Sequence, residues 1–250
     1  MRTLIVIPAY NEEESIGEVV DEIRKVSPWA DLLVIDDQSS DHTFDICRQR
    51  KVPVLSLPVN LGIGGVVQTG YLYALRNGYD AVVQMDGDGQ HDPAMLENLM
   101  SPLRDGSADV VIGSRFLENM GEFRSTRLRR VGIHFFEQWI RLLSGARITD
   151  ATSGFRVCNR KGMRLYATDY AKDYPEPEAV MTAIRNHLTV REVPVSMRER
   201  QGGVSSIRRL KSVYYMLKVS IAILISACKP LWENRHEEPD EARWTKEARV

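Results

Sequence analysis

The sequence predicts an α/β protein: a mostly parallel sheet flanked by helices, followed by a C-terminal amphipathic helical segment. Two observations predict the sheet. Short apolar runs recur along the first half, each followed by a helix-forming stretch, which is the rhythm of repeated βαβ units. Polar clusters stand just past three of these runs, Tyr10-Asn11-Glu12, Asp36-Asp37 and Asp86 to Gln90, and in parallel sheets ligands bind beyond the carboxyl ends of the strands.

Residues 4–7 are apolar and run into Pro8, as a buried parallel strand does. Residues 12–26 follow as a helix with Ile16, Val19, Val20 and Ile23 on one face. Residues 32–35 form the second strand, and Ser40 or Asp41 caps a helix reaching Arg50. Residues 52–57 are the third strand, and the glycine-rich loop 60–65 opens a helix to about Arg76. Residues 81–85 and 109–112 are the fourth and fifth strands, with Asp92-Pro93 starting the helix between them. Beyond these, 127–143 reads as a helix, 145–154 as a turn-rich link, 190–195 as a late strand and 207–228 as a long helix. The division is therefore a catalytic domain over 1–206, an amphipathic helix over 207–228 and a charged, disordered tail over 229–250.

The 250 residues suffice for a sizeable core. Net charge is −1, so no global field favours nucleic acid. Cys47, Cys158 and Cys228 are odd in number and form no CxxC pair, so neither a disulfide framework nor a zinc ribbon is indicated, and a reduced, cytoplasmic setting fits. Residues 1–8 read as a strand rather than a signal peptide.

Asp86 and Asp88 flank one glycine directly after a strand, where a turning chain brings alternate side chains onto one ion. Carboxylates suit Mg²⁺ or Mn²⁺, which use few protein ligands and leave positions for water and phosphate. Asp86, Asp88 and the amide oxygen of Gln90 make a plausible set. A calcium EF-hand is disfavoured, because His91 stands where its loop needs glycine and a strand precedes where a helix should.

In order along the chain stand residues 6–13 (VIPAYNEE), 34–41 (VIDDQSSD), 86–91 (DGDGQH) and 113–115 (GSR). This series resembles the family 2 glycosyltransferases of GT-A (Rossmann-like) fold. Residues 150–156 (DATSGFR) and 200–205 (RQGGVS) make it most similar to the dolichol- and polyprenyl-phosphate sugar synthases. The resemblance implies that Pro8, Ala9, Tyr10 and Glu12 line the base and ribose pocket of a nucleotide-sugar and that Asp36 hydrogen-bonds the base. It implies Asp86, Asp88 and Gln90 as metal ligands, Arg115 facing the phosphates between donor and acceptor, and Arg200 with Ser205 in a segment closing over the donor diphosphate. Two departures remove positive charge near the diphosphate: Ile63-Gly64-Gly65 carries no basic residue, and Ser206 stands where the family often has lysine.

The implied reaction is inverting, metal-dependent sugar transfer from a nucleotide diphosphate-sugar to a polyprenyl (undecaprenyl or dolichyl) phosphate. A lipid monophosphate is already ionised and needs cations rather than a base. Arg124, Arg127, Arg129 and Arg130 supply them at a helix start, where cations oppose the helix dipole unless an anion compensates. Arg127 or Arg130, with Arg115, is expected to clamp that phosphate. If the acceptor were instead a glycan hydroxyl, Glu178 is the candidate base, with Glu176 beside it. A nucleotidyltransferase fits less well, for want of a basic glycine-rich loop at the N-terminus. The apolar stretch 213–228 is interrupted by Lys218 and too short to span a bilayer. Preceded by Arg208, Arg209 and Lys211, it is expected either to pack as a core helix or to lie on the cytoplasmic face of the membrane or dock on a small membrane protein.

Overall fold

Residues 1–117, 127–198 and 211–232 are described in the computed structural model. A seven-stranded sheet has the order β3-β2-β1-β4-β6-β5-β7. Its strands are β1 (Thr3–Ala9), β2 (Asp31–Asp36), β3 (Val54–Ser56), β4 (Ala81–Gln84), β5 (Val110–Ser114), β6 (Arg156–Asn159) and β7 (Val190–Pro194). β1 pairs in parallel with β2 and β4, β2 with β3, and β5 with β7, whereas β6 runs antiparallel to both β4 and β5. The predicted parallel sheet is thus observed, with one reversed strand inserted.

Side chains alternate across β1 and so divide the core. Ile5 and Ile7 pack with Ile16, Val19, Val20 and Ile23 of α1 (Ile16–Val26) and with Leu99 and Met100 of α4 (Leu96–Arg104). Leu4 and Val6 face the opposite side, against Val66, Val67 and Tyr71 of α3 (Gly62–Arg76) and Met163 and Tyr166 of α6 (Arg160–Thr168). The helix α2 (Thr43–Gln49) covers the β2 side through Cys47. A third cluster joins Ile112 of β5 to Phe136 and Ile140 of α5 (Arg127–Ser144), Val180 and Met181 of α7 (Pro175–Arg185) and Val219 and Ile223 of α8 (Lys211–Cys228).

The sequence reading missed β6, α6 and α7. β6 is four residues long and begins with an arginine; its burial comes from pairing between β4 and β5 rather than from an apolar pattern. The side chain of Asn159 caps α6 by accepting from the Lys161 and Gly162 amides. Pro175 and Pro177 look like breakers, yet they occupy the first turn of α7, where no intrahelical N–H is required. Where the long helix was expected from 207, α8 is described from Lys211; of the tail expected over 229–250, residues 229–232 are instead packed, Lys229 pairing with Asp169 at 3.0 Å and the Trp232 amide donating to Asn186 Oδ1 at 2.6 Å, and the rest lies outside the described residues. One face of α8 joins the core through Val219 and Ile223, as an ordinary packed helix does.

α3 lies so close to the segment before α7 that a Cβ added at Gly64 would stand 2.0 Å from the Ala171 carbonyl oxygen and 2.6 Å from the Lys172 Cα. Backbone cannot yield there as a flexible side chain would. Gly64→Ala is expected to cost about 1–3 kcal/mol, measured as a lowered urea midpoint at unchanged m-value.

Candidate active site

The chain leaves β1 toward β2 and β3 on one side and returns through α3 to β4 on the other. The carboxyl ends of β1 and β4 therefore bound the crevice where the sheet's winding reverses, the usual ligand position in such sheets. Pro8, Ala9, Tyr10 and Glu12 stand at or just past the end of β1, and Asp86 to Gln90 just past β4.

The loops after β1 and β2 are laced together. Asn11 and Gln38 both adopt positive φ, 55° and 61°. The Asn11 amide donates to Ser39 Oγ (3.0 Å) and its side-chain oxygen accepts from the Ser40 amide (2.8 Å). The Glu12 amide donates to Thr43 Oγ1 at 2.8 Å. Tyr10 projects from this rim, 53% exposed. Asp36 is buried, one oxygen accepting from the Ser39 amide (3.2 Å) and the other from Ser56 Oγ (2.9 Å). Each oxygen keeps a second lone pair. Its neighbour Asp37 secures the glycine-rich loop instead, accepting from the amides of Leu61 (2.7 Å) and Gly62 (2.9 Å).

The turn after β4 is built around His91. The Asp86 amide donates to His91 Nδ1 at 3.0 Å, which leaves the imidazole proton on Nε2, 3.6 Å from Asp86 Oδ2. The ring is buried and stacks on Phe155 with centroids 4.8 Å apart. Burial lowers its pKa, against the raising pull of Asp86 and Asp88. Asp88 Oδ1 accepts from the Gln90 amide at 3.0 Å, and the Gly87 carbonyl accepts from Ser15 Oγ at 2.8 Å, tying the turn to α1. A Cβ at Gly154 would lie 3.1 Å from Asp86 Oδ2, so glycine keeps the space beside that carboxylate open. Asp86, Asp88 and Gln90 are thus three residues of one turn, with Gly154 leaving room beside Asp86. Two carboxylates and an amide suit an ion that completes its shell with water and phosphate, so the donor set fits Mg²⁺ or Mn²⁺. His91, Gly154 and Ser15 had no assigned role in the sequence; a histidine just past a DxD was the one available signal.

Two expectations need correction. Arg115 was expected as a phosphate clamp, but Nε and Nη2 pair with Asp150 (2.6 and 2.7 Å), and Nη2 also donates to Thr152 Oγ1 (2.9 Å). The two positions a bidentate clamp needs are taken. Asp150 is fully buried, and its amide and that of Thr149 both donate to Glu192 at 2.8 Å, so a chain from β7 through Asp150 fixes Arg115. Glu178 was the candidate base, but it points to α8, where it accepts from Ser226 Oγ at 3.3 Å. Burial raises its pKa, with Lys229 opposing. The acidic side chain in the field of Asp86 and Arg115 is Glu176, whose pKa burial also raises, against the pull of Arg156.

Arg127 and Arg130 fall in the first turn of α5, their side chains outside the described residues, and Arg124, Arg200 and Ser205 lie outside them altogether. The described residues just before Arg200 are anchored to the Asp86–Gln90 turn: His91 and Met197 form a β-bridge, and the Arg198 amide donates to the Gln90 carbonyl at 2.9 Å.

A parallel sheet with one reversed strand, and a DxD turn at its winding reversal, together define the GT-A class of sugar-nucleotide glycosyltransferases. Residues 4–170 match the family described as Glycosyl transferase family 2, and the chain belongs to that family. It is 32% identical over 229 residues to a polyprenol monophosphomannose synthase of Mycolicibacterium smegmatis, covering 88% of this chain and 86% of the relative. It is 33% identical over 215 residues to an undecaprenyl-phosphate mannosyltransferase of Micrococcus luteus, covering 83% and 88%. A solved structure of glucosyl-3-phosphoglycerate synthase from Mycobacterium tuberculosis, in complex with Mn²⁺, UDP-glucose and phosphoglyceric acid, shares the fold with a TM-score of 0.72 at 22% identity, covering 92% of this chain and 80% of that one. The protein is a glycosyltransferase.

His91→Ala would leave the Asp86 amide without its acceptor and a void against Phe155. The expected result is a stability loss of about 2–4 kcal/mol and Mn²⁺ affinity weakened about 10-fold or more, read by denaturation and by titration calorimetry with nucleoside diphosphate. His91→Asn, which can still accept, should recover part of the metal affinity.

Proposed function

We propose that this protein transfers a sugar, with inversion, from a nucleotide diphosphate-sugar to a polyprenyl phosphate. The observation that carries the reading is the Asp86–Asp88–Gln90 turn at the winding reversal, beside the β1 end, in a chain aligned nearly end to end with two polyprenyl-phosphate mannose enzymes. Pro8, Ala9, Tyr10, Glu12 and Asp36 receive the nucleoside. Asp86, Asp88 and Gln90 hold Mg²⁺ or Mn²⁺, which when bound neutralises charge on the departing diphosphate. Arg200 and Ser205 add to that electrostatic stabilisation from the segment anchored by Arg198.

The acceptor phosphate is doubly ionised above its second pKa of about 6 and requires no general base. It requires cations, which Arg127 and Arg130 bring at the start of α5, where an anion also suits the helix dipole. With Glu178 bonded to Ser226, the alternative of a glycan hydroxyl acceptor loses its assigned base.

The lipid acceptor implies a membrane surface. Among the described residues no helix is long and apolar enough to cross one. Opposite its core face, α8 exposes Leu217, Ile221, Leu224 and Ile225, each between 42% and 59% exposed, and the neighbouring α5 exposes Phe135 and Leu142. This stripe, beginning next to Arg208, Arg209 and Lys211, suits docking on the anionic cytoplasmic face of a membrane.

Incubation with a panel of nucleotide-sugars, Mg²⁺ or Mn²⁺ and a short-chain polyprenyl phosphate should yield a lipid-linked sugar by mass. Asp88→Asn or EDTA should lower the rate by at least about 100-fold, a loss within the range for a charge-stabilising group. No lipid product with any donor would refute the acceptor class. The triple variant Leu217→Ser/Ile221→Ser/Ile225→Ser should bind anionic vesicles at least about 10-fold more weakly, since each apolar side chain contributes on the order of 1 kcal/mol. Its rate on a water-soluble short-chain acceptor should be unchanged, and undiminished vesicle binding would remove the docking face.

A further inference from the structure

The helix α1 holds the Asp86–Gln90 turn at two points. At the N-cap of α1, Ser15 is buried and its Oγ donates to the Gly87 carbonyl at 2.8 Å. Further along α1, Glu22 takes the Arg198 guanidinium in a two-pronged pair: Nη1 donates to Oε2 at 2.7 Å and Nη2 to Oε1 at 2.8 Å. From Ser15 to Glu22 is about two helical turns, so the two share a face of the helix, about 10 Å apart along its axis. Arg198 in turn grips the far end of the turn twice. Its amide donates to the Gln90 carbonyl at 2.9 Å, and Nη2 also donates to Asp92 Oδ1 at 2.8 Å. The same Asp92 oxygen accepts from the Ala94 amide, so it fixes the start of the helical turn that follows.

An exposed ion pair adds little to stability, because water screens it and two long side chains must be ordered to make it. The Arg198 and Glu22 side chains are 39% and 37% exposed, so the value of this pair lies in where it is placed. Ile16, Val19, Val20 and Ile23 seat α1 on β1 and make the helix a stiff reference. Ser15 ties the entry of the turn to that reference, between Asp86 and Asp88. Glu22, through Arg198, ties its exit at Gln90 and Asp92. Without the Glu22 carboxylate, Arg198 and the 90–92 stretch stay bonded to each other but are no longer referred to α1. Gln90 then loses its fixed place relative to Asp86 and Asp88, and an ion that uses all three loses a ligand.

We propose that Glu22 is a positioning residue for metal binding: through Arg198 it sets Gln90 against Asp86 and Asp88. It touches neither the ion nor a substrate. The proposal rests on the metal and nucleotide-sugar reading above.

The test compares Glu22→Gln in the full chain with Asp21→Asn, which removes the neighbouring α1 ion pair to Arg50 (3.0 Å) and leaves the turn untouched. Mn²⁺ affinity is measured by calorimetry with UDP and with GDP, the affinity of each nucleotide alone is measured in EDTA, and amide exchange at Arg198 is followed in the metal-free protein. Glu22→Gln should weaken Mn²⁺ binding about 3- to 10-fold, the lower end of the effect of partners that orient metal ligands. Nucleotide binding in EDTA should stay within about 2-fold of wild type, and the melting temperature should fall by no more than about 4 °C. Exchange of the Arg198 amide should quicken, since its bond to Gln90 opens more often. Asp21→Asn should leave Mn²⁺ affinity and Arg198 exchange as in wild type. In an Arg198→Gln background, Glu22→Gln should weaken Mn²⁺ binding by less than about 2-fold further, because the two act as one unit. Unchanged Mn²⁺ affinity in Glu22→Gln overturns the proposal and leaves the metal reading standing. An equal loss in Asp21→Asn marks a general loosening of α1 and also overturns it, as do fully additive losses with Arg198→Gln. If the wild type takes up no Mn²⁺ with either nucleotide, the metal reading falls and this proposal with it.

Discussion

A single buried guanidinium holds the parts of the site in one frame. Arg156 is 1% exposed and sits in β6 between β4, which leads into the Asp86 turn, and β5. Among the described residues it meets no carboxylate oxygen at hydrogen-bond distance; it donates to the carbonyls of Ser153 and Glu176. Burial disfavours its charge, and the nearby Glu176 carboxylate acts to restore it. A buried cation is tolerated only when its donors are satisfied and its field is answered. Here the condition is met by two main-chain oxygens belonging to the loop over Asp86 and to the first turn of α7. Those segments are therefore held where the arginine needs them, which is also where the site needs them.

The same economy runs through the crevice. Backbone that leaves the sheet would expose unpaired amides, so each strand end is closed by a neighbouring side chain. Asn11 and Ser39 close β1 against β2, Asp37 closes the start of α3, and His91 closes the turn after β4. Positive φ at Asn11 is tolerable because an Asn side chain can bond locally, here with the Ser40 amide. What remains open after this mutual closure, the Asp86 carboxylate beside Gly154 and the rim at Tyr10, is the part left for ligand.

The features legible in the sequence were those encoded locally. Apolar runs separated by helix-forming stretches gave five of the strands and a later apolar run gave β7, while the one-residue spacing of Asp86 and Asp88 marked the turn after β4. The reversed strand was not legible, since β6 owes its existence to two partners far away in sequence and carries a charge where a strand is usually apolar. The choice between Glu176 and Glu178 was equally hidden. Two residues apart on a helix they face different ways, and only the packing of α7 on α8 decides which one turns to Ser226. Arg115 was misread for a related reason: its buried partner Asp150 was seen as part of a motif and not as a counter-ion.

The reversed strand also constrains the order in which the chain can assemble. β1 to β4 follow one another in sequence and complete a four-stranded parallel unit within the first 84 residues. β5 comes next along the chain yet has no seat beside β4, because that place belongs to β6, which ends at Asn159. During synthesis from the N-terminus, the open edge of β4 must wait through some 70 further residues. The strand that finally covers it brings Arg156 with it, so closure of the sheet and fixing of the loop over Asp86 are one event.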